Sequence, residues 1–211
     1  MKSTAAKRTR KEPAQRRAEI IEVAVALADE IGLDRLTGRD IAARMGVAPG
    51  LLHHYFPQID DLIVEAFRHV VTTDIEQLAD GLDDLPATEA LTEFRTRSLA
   101  RRREAVLALW MSAWVTASRR PKLAREVDRQ MAAGVDLLAR VIDKGRRARE
   151  FATDDSAQSA WRILVTLAGI AVQRSIRPAT QRADDLSHVV REVAERELDL
   201  SAGTLANDTR E

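Results

Sequence analysis

The fold is decided by residues 36–56, LTGRDIAARMGVAPGLLHHYF. Thr37 stands three residues before an aspartate, a shortened capping box that predicts a helix beginning at the next residue. Gly46 is placed to end that helix after about two turns. Pro49 is tolerated in a first helical turn, so it opens a second helix, and Pro57 stops it. The sequence therefore predicts two short helices joined by a glycine turn.

A longer helix is predicted just upstream of this pair. Apolar residues recur at helical spacing between Ile20 and Ile31, and Gly32 follows where a left-handed cap would end the helix. The predicted helix begins at Pro13. Three helices in this order are typical of a helix-turn-helix, in which one helix braces against the DNA backbone and the next enters the major groove. The apolar periodicity alone would also fit another small helical hairpin that does not bind DNA.

The remainder of the chain also predicts helices. Apolar residues keep the helical spacing throughout, and Gly and Pro are few, at nine and six. The predicted ranges are 60–82, 88–102, 105–118, 121 to about 144, 156–176 and 182–198. We therefore expect an all-α protein of about nine helices.

Four segments are expected along the chain. They are a basic flexible arm over residues 1–12, a helix-turn-helix DNA-binding domain over 13–59, a larger helical domain over 60–200 and a frayed tail over 201–211. The helix predicted over 156–176 is apolar on nearly every side, so it should pair with another surface or lie centrally in its own domain. Two arginine runs are expected on solvated faces, Arg101–Arg103 and Arg146–Arg147.

The composition excludes several classes of protein. The 211 residues carry 33 Lys plus Arg and 33 Asp plus Glu, 45% are hydrophobic and none is cysteine. This is the composition of a soluble globular protein. The absence of cysteine excludes disulfides, thiolate zinc sites and cysteine nucleophiles, and it fits a reducing cytoplasm. No apolar run approaches the roughly 20 residues that cross a bilayer, so no membrane segment is expected.

Positive charge is concentrated at the N-terminus. Residues 1–17 hold seven basic side chains and one acid, Glu12. Such a segment suits contacts with phosphate, but basic N-terminal arms are also common as disordered, solubilising tails. Its position just upstream of a helix-turn-helix favours phosphate as the partner.

Residues 36–63, LTGRDIAARMGVAPGLLHHYFPQIDDLI, are similar to the DNA-binding signature of the TetR family. The matching core, turn and cap positions are Leu36, Thr37, Ile41, Ala42, Gly46, Val47, Gly50, Leu52, Tyr55, Phe56 and Leu62. Two later segments, WMSAWVTASRRPKLAREV and REFATDDSAQSAWRILVTLAGIAVQRSI, resemble the C-terminal domain of the BetI-like branch, the choline-responsive type of repressor. These resemblances cover nearly the whole chain after the basic arm.

The resemblance implies a homodimeric one-component regulator that binds double-stranded, palindromic operator DNA and leaves it when a small molecule enters the larger domain. Repression is the simpler expectation, because blocking a promoter requires no further contact. In this family the last two long helices pack against their twins in a four-helix bundle, which makes residues 60–200 an effector-binding and dimerisation domain. No cofactor or metal ion is implied.

The resemblance also implies a set of DNA-contacting positions: Thr37, Gly38, Arg39, Pro49, Gly50, Leu51, His53, His54 and Tyr55. Arg39 can donate two hydrogen bonds to guanine, or it can bind phosphate or an acid of its own chain. Leu51 can only touch a thymine methyl group. The histidines and Tyr55 can donate to phosphate oxygens or base edges, and one of the three can instead pack on the first helix.

Three departures from the family pattern affect this interface. Ala48 replaces the serine that commonly caps the recognition helix, His53 replaces a phosphate-binding tyrosine, and Ile59 replaces a lysine before the next helix. We therefore expect the basic arm to supply part of the missing positive charge, in part from the minor groove. Its candidate residues are Arg8, Arg10, Lys11, Arg16 and Arg17.

An effector pocket is expected where the aromatic residues of the larger domain gather. The candidate lining residues are Phe94, Trp110, Met111, Trp114, Met131, Trp161 and Leu164. Indole faces attract quaternary ammonium groups, yet an aromatic core without a ligand explains the same residues. We expect a largely apolar pocket whose effector is apolar or a quaternary amine. The helix over 60–82 should link it to the DNA-binding helices.

Catalysis is not expected. The four histidines occupy positions without any metal-ligand or catalytic spacing, and neither a phosphate-binding glycine loop nor a nucleophile elbow occurs. The alternative to a regulator is a helical protein-interaction adaptor that keeps the DNA-binding fold without operator-specific function. Binding to the DNA upstream of its own gene, and loss of that binding on Arg39→Ala, would separate the two.

Overall fold

The computed structural model describes residues 12–176 and 186–206. In these ranges the chain forms α-helices and two short 3-10 helices, with no strand, so the prediction of an all-α fold is confirmed. The α-helices are α1 (Pro13–Ile31), α2 (Gly38–Met45), α3 (Pro49–Tyr55), α4 (Ile59–Ala79), α5 (Ala87–Leu99), α6 (Glu104–Ala117), α7 (Pro121–Ala148), α8 (Ser156–Ile176) and α9 (Ser187–Glu197). The 3-10 helices are Leu82–Asp84 and Arg101–Arg103.

Helix α2 begins at a threonine cap, as predicted. The second hydrogen bond of the capping box, however, has a different donor. The backbone N–H of Asp40 donates to Thr37 Oγ1 at 3.3 Å. The Asp40 carboxylate accepts a 2.5 Å hydrogen bond from the Thr37 hydroxyl, whereas we predicted that it would reach the Thr37 backbone. Aspartate is one methylene shorter than the glutamate of a full capping box, which accounts for the exchange. Gly46 ends the helix with a φ of +63°, a conformation that favours glycine.

The helices form two hydrophobic cores. The first joins α1, α2 and α3 to the N-terminal part of α4, where Leu62, Ile63 and Phe67 are buried. The second lies among α5, α7, α8 and α9 and includes Leu78 near the end of α4. Helix α4 therefore contributes to both cores. None of the described helices has the length and apolarity needed to span a membrane.

Helix α5 is shorter than predicted. The chain leaves the helix at Ala100, whose ψ of 139° is extended, and then forms the 3-10 helix Arg101–Arg103. This break turns Arg103 toward Asp74 of α4. The prediction of solvated arginine runs is therefore wrong for Arg103, which is largely buried, while the other residues of both runs are exposed: Arg101, Arg102, Arg146 and Arg147.

The prediction of a frayed tail is wrong for residues 201–206. Leu205 is fully buried in the second core. Glu195 Oε1 accepts hydrogen bonds from the backbone N–H groups of Gly203 and Leu205, at 3.0 and 2.9 Å, and Arg95 donates to the Leu205 carbonyl at 3.0 Å. Several predictions lie outside the described residues: the basic arm over 1–11, the start of the last helix at residue 182 and the tail over 207–211.

Candidate nucleic-acid interface and effector cavity

Helix α3 is held by one face and exposes the other. Leu52 and the capping residue Phe56 are buried in the first core, and Leu52 lies beside Gly38 of α2, which fixes the helix against α2. The opposite face carries most of the predicted DNA-contacting positions. Four of them are exposed (Pro49, Gly50, His53 and His54), and two are half-buried (Leu51 and Tyr55).

Tyr55 also packs within the N-terminal helical domain, which comprises α1, α2, α3 and the start of α4 and is called the head below. Its ring lies against the first core and meets His54 edge-on, with ring centroids 5.2 Å apart. Of His53, His54 and Tyr55, it is thus Tyr55 that packs against its own chain. Ala48 provides no side-chain cap for α3, because an alanine side chain cannot accept a hydrogen bond.

The start of α2 lies beside the exposed face of α3. Thr37 and Arg39 are exposed, and Gly38 is half-buried, with Leu52 of α3 3.9 Å from where its Cβ would stand. Together with Pro49 and His53 they line a concave, open surface. The guanidinium of Arg39 and the imidazole of His53 therefore face the same space, which suits recognition of phosphate and base edges, while the Thr37 hydroxyl is held by Asp40.

The two arginines predicted to reach DNA from α1 both contact their own chain. Arg16 pairs with Glu19 at 2.6 Å. Arg17 pairs with Glu65 of α4 at 3.3 Å, and its guanidinium carbon lies 4.8 Å from the centroid of the Phe56 ring. Arg17 therefore joins the end of α3 to α4.

A cavity of about 110 Å³ lies between α4, α5, α6, α7 and α8. Six of the seven predicted effector-pocket residues line it: Phe94, Trp110, Met111, Trp114, Met131 and Leu164. Trp110 and Trp114 have ring centroids 5.6 Å apart, and Trp110 meets Phe67 edge-on. Trp161 does not line this cavity. It is 45% exposed and lies in a separate open groove with Trp114, Asp128 and Asp136.

This cavity also has a polar end, which was not predicted from the sequence. Asp74, Ser98, Arg103 and Gln130 also line it. Arg103 donates from Nε and Nη2 to the two carboxylate oxygens of Asp74, at 2.7 and 2.5 Å, and from Nη1 to the backbone carbonyl of Ser98 at 2.9 Å. A sequence signal for Asp74 did exist, because it interrupts an apolar stripe of α4 at helical spacing, between Val71 and Leu78.

Known families match both parts of the chain. Residues 20–66 match the family of bacterial regulatory proteins named tetR, and residues 87–199, more than half of the chain, match the C-terminal domain of BetI-type transcriptional repressors. The chain belongs to the TetR family. It is thus a transcriptional regulator, and the proteins of this family are DNA-binding proteins without enzymatic activity.

Individual relatives of this TetR-family regulator are distant. The transcriptional repressor KstR2 of Rhodococcus jostii is 27% identical over 164 residues, 75% of this chain and 78% of that repressor. The regulator BetI of Cronobacter sakazakii is 25% identical over 117 residues, 52% of this chain and 57% of BetI, so the match spans little more than half of that relative. A Saccharomonospora viridis regulator crystallised with choline shares the fold, with a TM-score of 0.76, 21% identity and coverage of 88% of this chain and 98% of that one.

A series of polar contacts runs between the two sites of the TetR-family regulator. Gln130, in the cavity wall, donates to Glu126 at 2.9 Å, and Glu126 accepts from Arg68 of α4 at 3.0 and 2.7 Å. Arg68 also donates to Glu65 at 3.0 Å. Glu65 in turn meets Arg17, which covers Phe56 at the end of α3. These contacts form a continuous series from the cavity wall to the end of α3.

Within this series of contacts, opposing electrostatic effects act on the pKa of Glu126. Burial raises its pKa, but hydrogen bonds from Arg68 and Gln130, with the charges of Arg68 and Arg129, outweigh burial and leave the pKa below 4.5. At the other end of the α4–α7 contact, Arg120 pairs with Asp60, and Lys122 pairs with Asp61 at 2.5 Å. These pairs attach the first turn of α4 to the first turn of α7.

Proposed function

We propose that the protein is a ligand-responsive repressor that binds palindromic operator DNA as a homodimer and releases it when a small molecule enters the cavity between α4 and α8. The observation that carries this proposal is the two-sided character of α3. Leu52 and Phe56 hold it in the head, while Gly50, His53 and His54 face outward beside Arg39. A helix presented in this way fits the major groove.

Dimerisation is supported by the exposed stripe on α8. Trp161 and Val165 are 45% and 48% exposed, and Gly169 continues the stripe with open space where its Cβ would stand. These positions are spaced by four residues, so they share one face of the helix. Large apolar side chains exposed together are typical of an interface. A two-fold dimer through α8 and α9 would present two recognition helices to successive major grooves, about 34–36 Å apart.

Release by an effector is supported by the position of α4. Its first half packs with the DNA-binding helices, and its second half supplies Asp74, Ile75 and Leu78 to the cavity wall. A ligand that binds one tilt of α4 better than another shifts the equilibrium toward that tilt. The cavity is mainly apolar and contains aromatic faces, which supports an apolar effector or a quaternary amine. We place the protein in the cytoplasm, because its operator would be there.

Operator binding can be tested with genomic fragments selected by the purified full-length protein. Mobility shift on the selected fragments should give a sequence-dependent band, and Arg39→Ala should relax the sequence preference. The matched control is Arg44→Ala on the same helix, because the Arg44 guanidinium is occupied by Glu30 at 2.6 and 3.0 Å. Binding without sequence preference, or binding unchanged by Arg39→Ala, would favour the adaptor function instead.

A further inference from the structure

The charged groups of the effector cavity are already paired with each other. Asp74 and Arg103 are the charged residues among those that line it. Asp74 is 5% exposed, and both of its carboxylate oxygens accept hydrogen bonds from Arg103. The third guanidinium bond goes to the Ser98 carbonyl. A charged ligand would therefore have to separate this pair to gain a counter-ion, and a separated buried charge is costly.

Ser98 supplies the polar group that this cavity leaves unused. Its side chain is 4% exposed, lines the cavity and has no hydrogen-bond partner for Oγ within the described part of the chain. A buried hydroxyl without a partner is destabilising, and native structures seldom retain one without a reason. A ligand group that donates to, or accepts from, Ser98 Oγ would satisfy it.

Apart from Gln130, whose side-chain amide already donates to Thr72 and Glu126, the rest of the wall is apolar, and the space is small. Trp110, Met111, Met131 and Leu164 contribute much of it. The volume of about 110 Å³ approaches that of an engineered apolar cavity of about 150 Å³ that admits benzene. The space thus suits a compact ring or short branched chain with one hydrogen-bonding group at the Ser98 end.

From these features we infer that the effector is a small, uncharged, mainly apolar molecule with a single hydroxyl or carbonyl group, which forms a hydrogen bond with Ser98 Oγ. This inference rests on the proposed function for the site and narrows its ligand. It selects the apolar effector over the quaternary amine, because Arg103 holds the carboxylate of Asp74, the acidic residue among the described residues of the wall.

Four probes of similar size test the inference by calorimetric titration of the full-length protein. Phenol and toluene differ by a hydroxyl in place of a methyl group, benzoate adds a negative charge, and choline carries a quaternary ammonium. Phenol should bind about tenfold more tightly than toluene, since one satisfied hydrogen bond is worth that factor. Benzoate and choline should bind more weakly than phenol.

Ser98→Ala should remove the preference for phenol over toluene. Thr96→Ala, at an exposed position on the same helix, should retain this preference.

Tighter binding of choline or benzoate than of phenol, no binding of phenol, or a preference that survives Ser98→Ala would each overturn the inference. The titrations use protein without DNA, so they do not depend on operator binding. Phenol recognition through Ser98 combined with an operator complex that phenol leaves intact would contradict the proposed ligand-induced release and leave the ligand class standing. A melting curve of Ser98→Ala checks that the variant folds; because Oγ has no partner, its melting temperature should not fall.

Discussion

Arg68 of α4 and Glu126 of α7 form a two-point ion pair, with Nε and Nη2 donating to the two carboxylate oxygens at 3.0 and 2.7 Å. Glu126 is buried, whereas Arg68 is partly exposed. Gln130 bonds the same carboxylate, which connects the pair to the cavity wall. The contact therefore lies between the second core and the DNA-binding head.

Arg68→Met should lower the free energy of unfolding by about 2 kcal/mol, because Glu126 would lose two charge-assisted hydrogen bonds while remaining buried. Urea denaturation at neutral pH measures the change. Arg125→Met, an exposed arginine on α7, is the matched control and should change stability by less than about 0.5 kcal/mol. Equal losses of unfolding free energy in Arg68→Met and Arg125→Met would contradict a stabilising role for the Arg68–Glu126 pair.

Stability should fall as the pH is lowered through the acidic range. Hydrogen bonds from the backbone and side chain of Thr88 lower the pKa of Glu150 below 4.5, and the backbone of Ala87 adds to this. A carboxylate whose pKa is lower in the folded state stabilises the fold above its unfolded pKa and loses that contribution as the pH falls. Glu150→Gln should therefore flatten the decline in unfolding free energy below about pH 4.5. Glu89→Gln, exposed on α5, serves as the control and should leave the profile unchanged.

The exposed stripe on α8 should control the oligomeric state. Val165→Asp places a charge in the proposed interface, where it would be buried without a partner, so sedimentation should show a shift from dimer to monomer. Val115→Asp is the matched control, because Val115 is 73% exposed on α6 and lies outside the stripe. A dimer that survives Val165→Asp, or a wild-type protein that is monomeric at micromolar concentration, would contradict an interface through α8.

Removal of the C-terminal segment should destabilise the larger domain. Deleting residues 203–211 takes away buried Leu205 and the backbone groups that bond Glu195 and Arg95. A loss of about 3 kcal/mol is expected, from the vacated apolar site and the lost hydrogen bonds. Deleting only 207–211 keeps these contacts and is the matched control, so this variant should be the more stable of the two. Equal stability of the two truncated proteins in urea would contradict a structural role for Leu205.

Local signals predicted the helices of the head with their bounds. Thr37, Gly46 and Pro49 act within one or two turns of themselves, so their effects can be derived from neighbouring residues alone. For the same reason α1, α2 and α3 begin and end where the sequence predicts, and α8 begins there. The cavity was predicted from its aromatic residues, because only 4% of the chain is aromatic and all three tryptophans lie in the larger domain.

Long-range contacts explain what the sequence did not predict. Arg103 meets Asp74 across 29 positions and Leu205 meets Arg95 across 110, and no local pattern encodes either contact. Trp161 was assigned to the cavity because of its residue type, but the rotation of α8 turns it outward. Arg17 pairs with Glu65 of α4, a long-range contact that the sequence did not predict, and its role in DNA binding stays a prediction.

The most direct test of the account is methylation interference at guanine N7 on a selected operator, since N7 lies in the major groove. Two symmetric groups of interfering guanines are predicted, with centres about 10 base pairs apart or a multiple of that spacing. Arg39→Ala should weaken binding by about 1–3 kcal/mol and relax the base preference. A single unpaired group of guanines, or no guanine whose methylation interferes with binding, would contradict a two-fold regulator that reads bases with the exposed face of α3.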